Sequence, residues 1–138
     1  MGGYDPAPFG KERPLMSKLR SCLKKRDLLH NPQVSPEQLS QYGRDYLGEG
    51  RLVDALDFFE KARDLDGIRR IREESILEGD PFLLYQTSKF LKESPLPEVW
   101  RKVGEKALAE GRLQQALTAF KAVPDEEQME KIQIMLRS

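Results

Sequence analysis

Residues 42–62 read YGRDYLGEGRLVDALDFFEKA, and residues 103–123 read VGEKALAEGRLQQALTAFKAV. Aligned at an offset of 61, nine of the 21 positions are identical. They are Gly43/Gly104, Leu47/Leu108, Glu49/Glu110, Gly50/Gly111, Arg51/Arg112, Leu52/Leu113, Ala55/Ala116, Leu56/Leu117 and Phe59/Phe120. Two unrelated amphipathic helices share a composition. They do not share a Gly-Arg-Leu turn in register with flanking Ala and Phe. The match fades but continues through Asp64/Asp125 and Ile71/Ile132. Self-similarity at a fixed period marks a stacked helical array.

An offset of 61 is long for one helical hairpin and about right for two. Gly79, which follows Glu78, falls between the two copies, so three hairpins are expected to turn at Gly50, Gly79 and Gly111. Helix starts agree. Ser35-Pro36-Glu37-Gln38 is a capping box with Pro at the first helical position, where its missing N–H costs nothing. Asp80-Pro81 repeats the idea, Pro97 opens a further helix, and Asp125-Glu126-Glu127 places acids where a helix dipole favours them. Helices are expected over 36–48, 52–64, 67–78, 81–92, 97–110, 113–123 and 126–137. Apolar residues recur three and four apart, as in Leu39, Tyr42, Tyr46 and Leu47, or Leu52, Ala55, Leu56 and Phe59. In the last helix Met129, Ile132, Met135 and Leu136 supply the stripe of a capping helix over the array's open face.

Composition excludes several classes. A chain of 138 residues suits one domain, and 38% hydrophobic against 33% charged residues gives a core with a heavily solvated exterior. No run approaches the ~18 apolar residues of a membrane span. The N-terminal MGGYDPAPFG lacks the apolar stretch of a secretory signal, and Pro6 sits where a myristoylation signal wants Ser or Thr. The lone Cys22 cannot pair within the chain, which points to a reducing, cytoplasmic setting. One His and one Cys cannot build the common zinc sites, and no Gly-rich phosphate loop is present. His30 reads as a helix-end residue. Glu73-Glu74 lies among Arg69, Arg70 and Arg72 on a helix face, and Arg51 and Arg112 read as helix-turn contacts. No catalytic, metal or cofactor site is expected, so the chain is not read as an enzyme.

The spacing resembles the tetratricopeptide repeat, W-x2-L-G-x2-Y followed by A-x3-F and Pro. In the third hairpin Trp100, Val103 and Gly104 match the opening, Ala107 replaces Tyr, and Ala116 and Phe120 match the centre. In the first, Leu39 stands for Trp and is followed by Tyr42, Gly43, Tyr46, Ala55 and Phe59. The middle hairpin, 67–92, keeps Gly79 but carries Leu84 and Ser88 at the Ala and Phe places, and Gly67 and Gln128 replace the closing Pro. The resemblance implies an all-α, right-handed α-α superhelix: three hairpins plus a C-terminal capping helix.

It also implies a concave groove lined by the first helix of each hairpin, taking a peptide or helix of another protein. The groove-facing positions are then Glu37, Ser40 and Arg44; Arg69 and Glu73; Arg101 and Glu105. Arg69 and Arg101 are the expected anchors, because a guanidinium can hold a carboxylate through two hydrogen bonds. No small-molecule substrate is expected. Ahead of the repeat domain, 35–138, lie a disordered stretch, 1–13, and a basic amphipathic segment, 14–34. Residues 1–34 carry a net charge of +4, balanced by −4 in the remainder. Leu15, Leu19, Cys22 and Leu23 form an apolar stripe in that arm, so it reads first as an extra helix packed on the first hairpin. The alternative is a regulatory or nucleic-acid-associated protein that uses the arm and keeps the repeats as a platform. A charge of +4 is modest for nucleic acid, and the segment 14–30 carries no aromatic residue.

Overall fold

The structure is a computed structural model that describes residues 24–138, and among them it is all-helical, with no strand. The helices are α1 (24–30), α2 (Pro36–Gly48), α3 (Leu52–Ala62), α4 (Leu65–Glu78), α5 (Pro81–Leu91), α6 (Pro97–Ala109), α7 (Leu113–Lys121) and α8 (Glu126–Arg137). No described helix is long and apolar enough to cross a membrane. The chain forms two compact units, one up to Gly67 and the other Ile68–Ser138. The expected disorder of 1–13 and the stripe of Leu15, Leu19, Cys22 and Leu23 lie outside the described residues.

In the first unit α2 and α3 form a hairpin. The capping box forms as expected: Gln38 N donates to Ser35 Oγ at 3.2 Å, and Ser35 N donates to Gln38 Oε1 at 2.9 Å. The turn depends on Gly50, whose φ of 76° is disfavoured for any residue with a Cβ. Its N–H donates to Leu47 O, and the N–H of Arg51 reaches Tyr46 O, each at 3.0 Å. These two bonds satisfy carbonyls that the end of α2 leaves open. Close helix approach then follows from Gly43. A Cβ there would stand 2.6 Å from the Phe59 ring. Phe59 and Phe58 are buried, and Phe58 lies against Tyr42 and Tyr46 with ring centroids 5.6 and 5.5 Å apart.

The second unit repeats this construction in α6 and α7. Gly111 has φ 75°, its N–H donates to Leu108 O at 3.0 Å, and Arg112 N donates to Ala107 O at 2.9 Å. Gly104 again faces a phenylalanine, Phe120. Ala107, Ala116, Leu117, Phe120 and Ile132 form one apolar cluster, and Leu84, Val103 and Ala119 form another. The turn between α4 and α5 has the same design: Gly79 at φ 71°, with Gly79 N to Ile76 O at 3.3 Å and Asp80 N to Ser75 O at 2.8 Å. Its helices differ in what they bury. Ser75, Thr87 and Ser88 are inside. Ser75 Oγ donates to Arg72 O at 2.6 Å and Thr87 Oγ1 to Leu83 O at 2.7 Å, so these two hydroxyls are satisfied by their own helices, whereas Ser88 Oγ is buried without a hydrogen-bond partner. These hydroxyls lie in helices that also bury Ile68, Ile71, Leu83 and Leu84.

Several expected ends move. α3 stops at Ala62 and not at residue 64, because Arg63 adopts the left-handed conformation and closes the helix with Arg63 N to Glu60 O at 3.2 Å and Asp64 N to Phe59 O at 2.9 Å. α4 starts at Leu65 and not at residue 67, because Asp64 Oδ1 accepts from Gly67 N at 3.0 Å and pulls the first turn back. Lys92 ends α5 at Leu91 by the left-handed device of Arg63. α6 and α7 end at Ala109 and Lys121, short of the expected residues 110 and 123. In α8 only Ile132 of the expected stripe is buried; Met129 packs beside it, and Met135 and Leu136 are exposed.

Candidate partner-binding groove

The groove residues are placed by helix period. Glu37, Ser40 and Arg44 fall on one face of α2, three and four residues apart. Together with Pro36, Ala62 and Asp64 they line an open cleft of about 320 Å³ in the first unit. Arg44 Nη2 donates to Gln41 Oε1 at 2.9 Å, and Gln41 Nε2 donates to Asp45 Oδ1 at 3.0 Å. This chain holds the guanidinium along the helix while leaving it exposed to solvent. Arg69 and Glu73 are exposed one turn apart on α4, and Arg101 and Glu105 are exposed one turn apart on α6, all in the second unit. The structure therefore brings three of the seven residues together in one cleft and presents the other four as exposed residues of opposite sign, four apart on α4 and on α6. Beside them, Arg70 and Glu74 form a loose pair at 3.9 Å, and Arg72 Nη1 reaches Glu93 Oε1 at 3.1 Å.

The repeated arginines serve the fold, and they do so differently. Arg112 Nη1 donates to Gly79 O at 2.9 Å and Nη2 to Glu78 O at 2.6 Å, closing the C-terminal end of α4. It also meets Gln115 and, at 2.9 Å, Glu110 Oε1. Glu110 is held below the usual carboxylate range by hydrogen bonds from Lys106 and Arg112. Arg51 instead turns to its own helix. Its Nε and Nη2 both lie 2.8 Å from Asp54 Oδ2, and its guanidinium sits 4.7 Å from the Tyr46 ring centre. Burial pushes the Tyr46 hydroxyl above its ordinary range, against the lowering effect of Arg51.

One contact had no counterpart in the sequence reading beyond the general expectation that the arm packs on the first hairpin. Lys25 Nζ of α1 lies 2.6 Å from Asp54 Oδ1 and 2.7 Å from Asp57 Oδ2 on α3. Its side chain is 16% exposed, and the two carboxylates meet it in a part-buried setting. Burial works against the charge, but hydrogen bonds and attraction from Asp54 and Asp57 outweigh it and raise the Lys25 pKa. Sequence separations of 29 and 32 residues put these pairings beyond local pattern reading. His30 Nδ1 lies 2.8 Å from Arg26 O and serves the end of α1.

No protein-family model matches the chain, and no curated protein or solved structure matches it.

Proposed function

We propose that this chain is a tetratricopeptide-like adaptor: a right-handed superhelix of three hairpins and a capping helix that binds a peptide or helix of another protein. Catalysis is not part of this reading. The observation that carries it is the duplicated hairpin contact, Gly43 on Phe59 and Gly104 on Phe120, each followed by a left-handed glycine turn. That contact is the physical content of the repeat signature, because the small residue admits the ring of the second helix. Such arrays place the first helices of successive hairpins on one side, and here those helices carry exposed, alternating charge: Glu37, Arg44, Arg69, Glu73, Arg101 and Glu105. Side chains of both signs suit a partner segment that also carries both signs, with Arg69 and Arg101 holding its carboxylates. A reducing, cytoplasmic setting accompanies the proposal.

The test is affinity capture with the full chain, followed by the Arg69→Ala/Arg101→Ala double variant against whatever partner is found. A fall in affinity of about tenfold or more, with unchanged melting behaviour, is the expected result. A folded double variant that binds unchanged would sink the groove assignment.

A further inference from the structure

Helix α5 buries two hydroxyls beside its leucines and exposes two aromatic rings. Its buried side holds Leu83, Leu84, Thr87 and Ser88, and its outer side holds Phe82, Tyr85, Gln86 and Lys89. Phe82 is 59% and Tyr85 60% exposed, while Thr87 is fully buried. An isolated exposed apolar side chain is ordinary; a helix that puts hydroxyls inside and two aromatic rings outside is informative. Residues 82, 85, 86 and 89 recur at three and four, so they form one continuous stripe. Lys89 Nζ stands 6.0 Å from the Tyr85 ring centre and continues the stripe with a positive charge. Lys92, at the end of the helix, is also exposed, and no carboxylate occurs from Pro81 to Lys92. Leu77, five residues before Phe82 across the Gly79 turn, is 70% exposed.

We propose that the outer stripe of α5 is a second docking surface, distinct from the charged groove, and that its occupant is an acidic amphipathic peptide. Two rings offer apolar area at low entropic cost, and Lys89 and Lys92 offer two cations with no carboxylate of their own helix to answer them. The matching ligand carries large apolar side chains next to Asp or Glu. A second copy of this chain is a poorer match, because its own stripe from Pro81 to Lys92 supplies no carboxylate to answer these lysines. Single-stranded nucleic acid fits less well, since two lysines on a chain of zero net charge give little phosphate attraction. The stripe is small beside the ~800 Å² per partner of a standard interface, so binding is weak and reversible.

The experiment is selection of random twelve-residue peptides on the immobilised full chain, with counter-screening on a Phe82→Ser/Tyr85→Ser variant and on Arg101→Ala. Both positions of the first variant are exposed, so it should fold, and its melting curve checks this. The expected peptides combine aromatic or leucine residues with Asp and Glu. They bind the serine variant about tenfold or more weakly, lose affinity in high salt, and bind Arg101→Ala as they bind the parent. The proposal is overturned if the selected peptides are basic or uncharged, if none is enriched, or if their binding ignores the serine substitutions. It is equally overturned if oligo-dT binds the stripe and acidic peptides do not. Peptides sensitive to Arg101→Ala alone report on the groove and likewise overturn the assignment of α5.

Discussion

A Cβ placed on Gly104 would stand 2.7 Å from Cε2 of Phe120, and one on Gly43 would stand 2.6 Å from Cε1 of Phe59. The two hairpins thus share a contact whose geometry excludes even a methyl group.

Gly43→Ala and Gly104→Ala should each destabilise the protein by about 1–3 kcal/mol, because the buried phenylalanine has no open side toward which to move. Phe59→Ala and Phe120→Ala should cost about 3–5 kcal/mol each, since both rings are buried. Gly48→Ala is the control. Nothing lies within 4 Å of its added Cβ, and alanine in a helical turn should be neutral or stabilise by up to about 1 kcal/mol. Urea unfolding of the five variants measures all of this. Equal effects at Gly43 and Gly48 would remove the close-approach argument.

The hairpin turns and the connections between them use one backbone device with different residues. Gly50, Gly79 and Gly111 are left-handed, but so are Arg63 at φ 56° and Lys92 at φ 58°. A left-handed conformation costs a residue with a Cβ about 1–2 kcal/mol, part of which glycine returns as entropy in the unfolded chain. Arg63→Gly and Lys92→Gly should therefore raise stability by about 0.5–1 kcal/mol. Gly79→Ala should be the most damaging turn substitution. It adds to the φ penalty a Cβ placed 2.7 Å from Lys106 Cγ and 3.1 Å from Ala107 N. Thermal melts of the variants rank these effects.

The repeat made much of this visible in advance. Ser35, Asp80 and Asp125 cap helices because capping is local, and three glycines followed by the next helix give the hairpin turns. Arg63 and Lys92 gave no such signal, since neither residue type announces a left-handed bend. The face of α5 was equally hidden. Its sequence PFLLYQTSKFL is apolar around most of its first turns, so periodicity could not choose which side faces the core. Glu37, Ser40 and Arg44 share a cleft because one helix carries them. Whether charge pairs on different helices form one surface depends on how those helices stack, which no short window of sequence encodes.

Lys25 between Asp54 and Asp57 should control whether α1 stays on α3. Lys25→Met should raise amide exchange in residues 24–30 by about tenfold, corresponding to the loss of ~1–2 kcal/mol for a part-buried charged pair of hydrogen bonds. The pH dependence follows from the raised pKa. A lysine with a higher pKa in the folded state contributes its full stabilisation below the unfolded value of 10.5, and that contribution disappears as pH rises through the folded value. On the alkaline side α1 should therefore loosen above pH 10.5, and Lys25→Met should abolish that transition.

Arg51 and Arg112 occupy the same place in the repeat, yet their substitution should not cost the same. Arg112 closes two backbone carbonyls on a neighbouring helix end, Glu78 O and Gly79 O, and Gly79 is buried. Removing the guanidinium leaves those acceptors poorly satisfied, so Arg112→Ala should cost about 1–3 kcal/mol. Arg112→Lys should recover only part of this, because one ammonium cannot match the fork that spans both oxygens. Arg51 pairs with Asp54 on its own helix and covers one ring, a part-exposed i,i+3 arrangement expected to contribute about 0.5–1 kcal/mol. Denaturant midpoints of Arg51→Ala, Arg112→Ala and Arg112→Lys decide the matter. If the two alanine variants lose equal stability, the carbonyl contacts of Arg112 contribute nothing beyond the shared turn.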